Sequence, residues 1–558
     1  MKKLIPVICL MLVAVCAVVS VFVYRATETN DVSRPSTESS LVVESSSEES
    51  TSSVVSTPNK PNYSVAFTEN SNPKNWNVKW DIISGGKIVN NYLRPQKITF
   101  GDASEYNQVE GITTFRGNNY RTGATFGETV VINKTLTTKW TKSISSLKWT
   151  GCGWTGQPLV VRWDEETKAI MNLKPEKKAK KDLVEAIYAT LDGHIYFYDM
   201  EDGSYTRDPI WVGMNFKGSG AIDPRGYPLM YVGSGDYRDG KSPRMYIISL
   251  IDGKILHEQS GKDSFIKRSG GWCAFDGSPI VDAETDTLIW PGESGILYTI
   301  KLHTNYDKTA GTISIEPENI VKTRYTDNSG KRYGYESSVV AVGEYLYIGD
   351  NHGMFYCVNA NTMALVWAQN LKDDLNGSPV FECDENGKGY LYIGTSMEYA
   401  GGKCYVYKID ASNGEIIWTK TYENIKYDAN VSGGVLASPV LGEKGTPLEN
   451  MLIIPVGKTE NSNRGILVAL NKNTGEVIWE KKMGSYTWSS PTAVYAKDGK
   501  AYIVMCTAMG GIYLLDGTNG ETLANLSLGS TVEASPVVFE NTVIVGTRGQ
   551  KVFGIEIG

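Results

Sequence analysis

The chain has 558 residues, of which 10% are aromatic (32 Tyr and 13 Trp among them), together with 57 Gly. That mix favours many short strands joined by tight turns, and the length exceeds one ordinary core unless the fold grows by adding units. The net charge is −7 with no basic patch or stripe, which argues against nucleic acid as the main partner.

The chain opens Met1-Lys2-Lys3 and then runs uncharged from Leu4 to Tyr24, ending at Arg25. At about 1.5 Å per residue this run spans roughly the 30 Å apolar core of a bilayer, and the lysines ahead of it favour an inside N-terminus. A cleaved secretory signal is the rival; its apolar region is about 7–15 residues and ends in small residues. No A-x-A follows here, and Val15 before Cys16 speaks against lipid attachment. Residues 1–25 are therefore predicted as an uncleaved signal-anchor, a single-pass transmembrane helix in the cell membrane with the rest of the chain extracytoplasmic. Residues 26–60 are rich in Ser, Thr and Glu, cannot bury enough apolar surface to offset their ordering entropy, and read as a disordered stalk. Residues 61–135, with Trp76, Trp80 and Tyr92, are predicted to be an extension that packs on the domain that follows.

From there the sequence repeats. A small residue, Ser-Pro and an apolar strand recur at Gly277-Ser278-Pro279, Gly377-Ser378-Pro379, Ala437-Ser438-Pro439, Ser489-Ser490-Pro491 and Ala534-Ser535-Pro536. Degenerate copies are Gly156-Gln157-Pro158, Gly218-Ser219-Gly220 and Glu336-Ser337-Ser338, making eight copies 41 to 62 residues apart. After each comes a strand ending in Gly (YLYIG at Tyr345–Gly349 and Tyr390–Gly394), a third strand, an Asx-x-x-Thr-Gly turn and a fourth strand carrying Trp, clearest at Ala469–Trp479. Four short strands repeated eight times predict an all-β, eight-bladed propeller of four-stranded antiparallel blades over residues 136–558. The last copy has room for only three strands, so Leu136–Lys142, with Trp140, is predicted to complete it and close the ring.

The A-x-N-x-x-T-G-x-x-x-W pattern and the Ser-Pro strand starts resemble the pyrroloquinoline-quinone repeat family. Its members include quinoprotein alcohol dehydrogenases and the propeller lipoprotein of the outer-membrane protein assembly machine. Upstream, Gly111 to Gly123 (GITTFRGNNYRTG) resembles the segment that commonly opens such propellers.

Two nucleotide motifs fail on context. Gly235–Ser242 fits G-x-x-x-x-G-K-S and Gly151–Gly156 fits G-x-G-x-x-G, but both lead into strands where phosphate binding needs a helix N-terminus. No G-x-S-x-G occurs, and His194, His257, His303 and His352 are scattered, so no catalytic set and no metal site is predicted.

Loops entering innermost strands ring a propeller's axis. Three residues before each Pro-equivalent stand Thr155, Lys217, Asp276, Tyr335, Asn376, Leu436, Trp488 and Glu533. This ring is the candidate ligand site, against the alternative that Lys217, Asp276 and Glu533 pair and merely plug the channel. Family dehydrogenases combine a vicinal disulfide, an Asp base and calcium; adjacent cysteines are absent here, and pyrroloquinoline quinone and calcium are not expected. Cys152 and Cys273, each six residues before a Pro-equivalent, are candidates for a disulfide, with buried thiols as the other reading.

The function expected is a non-catalytic, membrane-tethered scaffold that binds a protein or a cell-wall polymer. The alternatives are a pyrroloquinoline-quinone-dependent oxidoreductase and a carbohydrate-binding propeller.

Overall fold

The computed structural model describes residues 61–146, 150–154, 156–236, 238–265, 272–326, 333–428 and 432–558. Among them no helix is long and apolar enough to cross a membrane; the predicted anchor and stalk lie outside the described residues.

The described strands form eight blades. Blade four shows the plan: Val340–Val342, Tyr345–Gly349, Met354–Asn359 and Leu365–Asn370, each antiparallel to the next. The two middle strands of a blade are covered on both faces by neighbouring blades, so they are apolar almost throughout; Leu452 to Val456, for example, are all buried. Outer strands face solvent on one side, and Ile416–Glu423 alternates strictly. Eight apolar clusters fill the eight interfaces between consecutive blades, the one between blades eight and one included.

Closure is visible in the hydrogen bonds. Lys551–Ile557 pairs on one side with Thr542–Gly546 and on the other with Leu136–Ser143, so N- and C-terminal segments share blade eight.

The Trp and the turn glycine of the repeat are two halves of one contact between blades. Trp140, Trp367, Trp418 and Trp479 each donate their indole N–H, at 3.1–3.2 Å, to a carbonyl of the next blade: Met200, Ala411, Lys472 and Gly517 respectively. Each ring lies on the glycine three residues further on (Gly203, Gly414, Gly475, Gly520), which has positive φ and where a Cβ would come within about 2.9 Å of the indole. Four blades lack this Trp contact, and in two of them arginines reach the equivalent carbonyl instead. Buried Arg207 donates to Leu250 at 2.6 Å from blade one, and buried Arg94 donates to Ala360 at 3.1 Å beside blade three.

Not every blade keeps four strands. Blade three continues outward into Lys79–Ser84 and Lys87–Val89, and blades one and eight each gain a short inner strand, Gly111–Ile112 and Thr125–Phe126.

Candidate functional site

One end of the axis is closed by residues 111–126, which bond to the innermost strand of every blade. Gly111 pairs with Val161 of blade one, and the Thr113 carbonyl accepts from Ile222 of blade two at 2.7 Å. Buried Arg121 donates to the carbonyls of Ser278 in blade three (3.3 Å) and Val339 in blade four (2.8 Å). Phe381 of blade five donates to Tyr120, and Val538 of blade eight to Ala124, both at 3.1 Å. Buried Arg116 spans the remaining two, reaching Pro439 of blade six at 3.2 Å and Pro491 of blade seven at 2.5 Å. Burial pulls both guanidinium groups down to about 10, and carbonyls rather than carboxylates hold them.

Above this hub sits a ring made by the Ser of each Ser-Pro phrase. The N–H of Ser278 donates to the hydroxyl of Ser338, Ser338 to Ser378, Ser378 to Ser438, Ser438 to Ser490 and Ser490 to Ser535, at 2.8–3.0 Å. Gln157 donates to Ser219 at 2.7 Å in the same way. The repeated Ser is therefore a blade-to-blade hydrogen-bond acceptor around the axis.

Beyond the ring the axis opens into a narrow throat lined by Trp154, Gly218, Asp276, Glu336, Asn376, Leu436 and Trp488, with Phe115 at its floor. Its free volume is about 20 Å³, room for little more than one water molecule. Lys217 lies beside it, 3.0 Å from Asp236 and 3.9 Å from Asp276, with its ammonium 5.0 Å from the Trp154 ring and 5.7 Å from the Trp272 ring. Trp154 meets Trp488 edge-on at 5.9 Å. Asn376 donates to Asp374 at 2.7 Å. Glu533 accepts from the Trp154 backbone N–H at 3.3 Å and stands 3.8 Å from Arg548.

Of the ring read from the sequence, Asp276, Asn376, Leu436 and Trp488 line the throat and Lys217 and Glu533 flank it; Thr155 lies outside the described residues. Tyr335 does not reach the axis. It is fully buried between blades three and four, with its ring 5.5 Å from Tyr325, and its neighbour Glu336 takes the axial place. The serine ring gives the reason: Ser338 accepts from Ser278 as Ser378 and Ser438 accept from their neighbours, so Val339, not Ser338, stands in the proline position of blade four, and three residues before it is Glu336. Cys152 is a free, buried thiol against Gly546 and Tyr188 in the interface of blades eight and one, so it forms no disulfide with Cys273. The intervening blades one and two separate their surroundings.

The carboxylates gather on one side of the throat. Burial pushes Asp276 up to about 6, against the pull of Lys217 and helped by Glu336 and Asp236. Burial, then Glu336, raises both Glu293 and Asp374 well above the usual carboxylate range. Below its ordinary value of 3.8, Asp276 is protonated whether the chain is folded or not. Between there and about 6 the unfolded chain releases the proton first, so this group's contribution falls as pH rises and the deficit persists above 6. Asp276→Asn should therefore be more stable than the parent at pH 7.5, by about 1–3 kcal/mol, with the gain vanishing near pH 4. Denaturant titrations at the two pH values check this; a difference that does not change with pH would contradict it.

Comparison with known proteins agrees with this geometry. Residues 279–444 and 463–558, blades three to eight, match the family model described as outer membrane protein assembly factor BamB. The structure of quinohemoprotein alcohol dehydrogenase from Comamonas testosteroni superposes with a TM-score of 0.54 at 14% identity, covering 82% of each chain. Blades three to eight are similar to pyrroloquinoline-quinone-like repeats. BamB from Moraxella catarrhalis covers 75% of this chain and 98% of its own, at 14% identity and a TM-score of 0.44. A stretch of 104 residues is 27% identical to the beta-alanine-activating enzyme of Danio rerio and spans only 9% of that protein's length.

The throat does not fit the quinone after which the repeat is named. Pyrroloquinoline quinone is a planar tricarboxylate, which needs a slot and cationic partners. Here the space is water-sized, Asp276 and Glu336 face it, and the adjacent cation, Lys217, is already bonded to Asp236. Among the described residues no three acidic, His or Cys side chains converge in a way that could hold a metal ion.

Proposed function

We propose that this pyrroloquinoline-quinone-like propeller is a non-catalytic scaffold that binds a protein or cell-envelope polymer through its axial face, outside the membrane to which its N-terminal segment tethers it. The asymmetry of the axis carries this reading. One end is sealed by the arginine hub, whereas the other presents exposed Trp154, Trp272, Tyr399 and Met509 around an acidic throat. Tyr399 belongs there because its N–H is bonded to Asp373, next to Asp374 at the throat, and Met509 because adjacent Ala508 is bonded to Tyr486, two residues before Trp488. Large apolar side chains around a recessed polar centre mark a recognition surface. The match of blades three to eight to an assembly-factor family supports a protein-binding role.

A photoreactive amino acid placed at 272 or 509 in the full-length protein, in its native envelope, should give covalent adducts on illumination. The same group at 417, exposed on the outer strand of blade five, should give none. Adducts only from 417 would overturn the proposal, as would reduction of an acceptor dye by the purified protein supplied with the quinone, calcium and an alcohol.

A further inference from the structure

The reading of the axial face as a recognition surface leaves open which chemical group it recognises. The throat's own side chains answer this. At the position two before each Pro-equivalent the repeat requires a small residue. A Cβ on Gly218 or Gly377 would meet the carbonyl of Asp276 or Ala437 at 1.9 or 2.7 Å. The residue just before this small one faces the axis, and in blade four that residue is Glu336, which lines the throat. Around it stand Asp276, Glu293 and Asp374, with the Lys217 ammonium on the side of Asp276 and Glu293.

These groups are not mutually satisfied. Oδ1 of Asp276, Oδ1 of Asp374 and the indole N–H of Trp488 have no hydrogen-bond partner, although the three residues are only 9%, 4% and 5% exposed. Leaving buried polar atoms unpaired costs about 1–3 kcal/mol each, more for charged groups. Two acceptors and one donor around the same opening call for a ligand bearing a cation beside a carbonyl or hydroxyl oxygen.

Lys217 already shows how such a cation is held here: between two carboxylates and two indole faces. Among the described residues the carboxylates of Glu336 and Asp374 have no such ammonium, and Lys217 serves Asp276 and Glu293. We infer that the throat receives the ammonium tip of a lysine side chain from a protein partner, a group that matches its water-sized space, with the charge held by Glu336, Asp374 and Asp276 and a carbonyl oxygen of the same peptide accepting from the Trp488 indole N–H.

A basic peptide fits better than an amine-bearing glycan. Sugars stack on open aromatic faces, but Trp488 is buried and both Trp154 and Trp272 already carry the Lys217 ammonium. This inference rests on the axial-face reading and is tested separately from it. Hexalysine titrated into the full-length protein, followed by calorimetry and by tryptophan fluorescence, should bind, whereas hexaglutamate should not. Glu336→Gln and Asp374→Asn should each weaken hexalysine at least tenfold, while Glu480→Gln, on the exposed outer strand of blade six, should leave it unchanged. Near-UV circular dichroism confirms that each variant is folded. Equal affinity for parent and Glu336→Gln, no binding of hexalysine, or binding of a glucosamine hexamer in its place would overturn the inference. If adducts still form from positions 272 and 509 in that event, the axial face remains a recognition surface and only the cationic group is wrong.

Discussion

A chain ending at Gln550 should lose its ring. The missing strand contributes Val552, Phe553, Ile555 and Ile557, all buried, to the interfaces of blade eight with its neighbours. At roughly 1.5–3 kcal/mol per large apolar side chain, their loss is on the order of 6–12 kcal/mol, comparable with the whole stability of an ordinary domain. It also strands two ladders at once, because Thr542–Gly546 and Leu136–Ser143 pair only through it in this blade. The outer strand would then be detached, and with it Trp140, whose indole bonds Met200 of blade one. Two milder variants separate closure from simple loss of core. Ile555→Ala should destabilise by about 2–5 kcal/mol, and Trp140→Ala by about 3–5 kcal/mol. Equilibrium denaturation in guanidinium and limited proteolysis read all three. A truncated chain with the parent's midpoint and protease resistance would mean that the ring does not depend on its shared blade.

The features readable in the sequence are those in which each blade solves the same local problem. The Ser of Ser-Pro recurs because each innermost strand needs an acceptor for its neighbour's N–H, and Thr-Gly with Trp recurs because the indole of one blade needs a glycine on the next. Any contact built once per molecule escaped that logic. Arg94 and Arg207 replace two of the missing Trp contacts from positions outside the repeated pattern, at no constant spacing, so nothing in the pattern announces them. Counting three residues back from each proline located the axis and placed Asp276, Asn376, Leu436 and Trp488 on it, but blade four has no proline to count from. In blade four the loop turns Tyr335 into the interface and Glu336 inward. Taking Ser338 as the proline equivalent started the count one residue early; the hydrogen-bonded ring makes Ser338 the repeat's Ser and Val339 its proline equivalent. Cys152 shows the reverse limit: equivalent repeat positions suggested a partner, but the free thiol is packed between blades eight and one.

Arg121→Met should be among the most damaging single substitutions in the protein. Its guanidinium donates to the carbonyls of Val339, Ser278 and Phe115 and to the hydroxyl of Thr114, and the side chain is fully buried. Methionine fills similar volume but supplies no donor, so three buried carbonyls lose their partner; with about 1–3 kcal/mol for each orphaned group, a total of about 3–9 kcal/mol is expected. Arg121→Lys should recover little of it, because a single ammonium cannot match the planar fork that reaches blades three and four together. Arg116→Met should cost less, since it bonds two carbonyls, Pro439 and Pro491. The two arginines link separate pairs of blades through one short segment whose backbone turns at both of them, with φ of 56° at Arg116 and 62° at Arg121. Losing both should then exceed the sum of the single losses, because either alone still holds residues 111–126 across the axis. Denaturant midpoints of the two single variants and the double variant measure this coupling. Strictly additive losses, or an Arg121→Met protein as stable as the parent, would show that the hub fills the axis without tying the blades together.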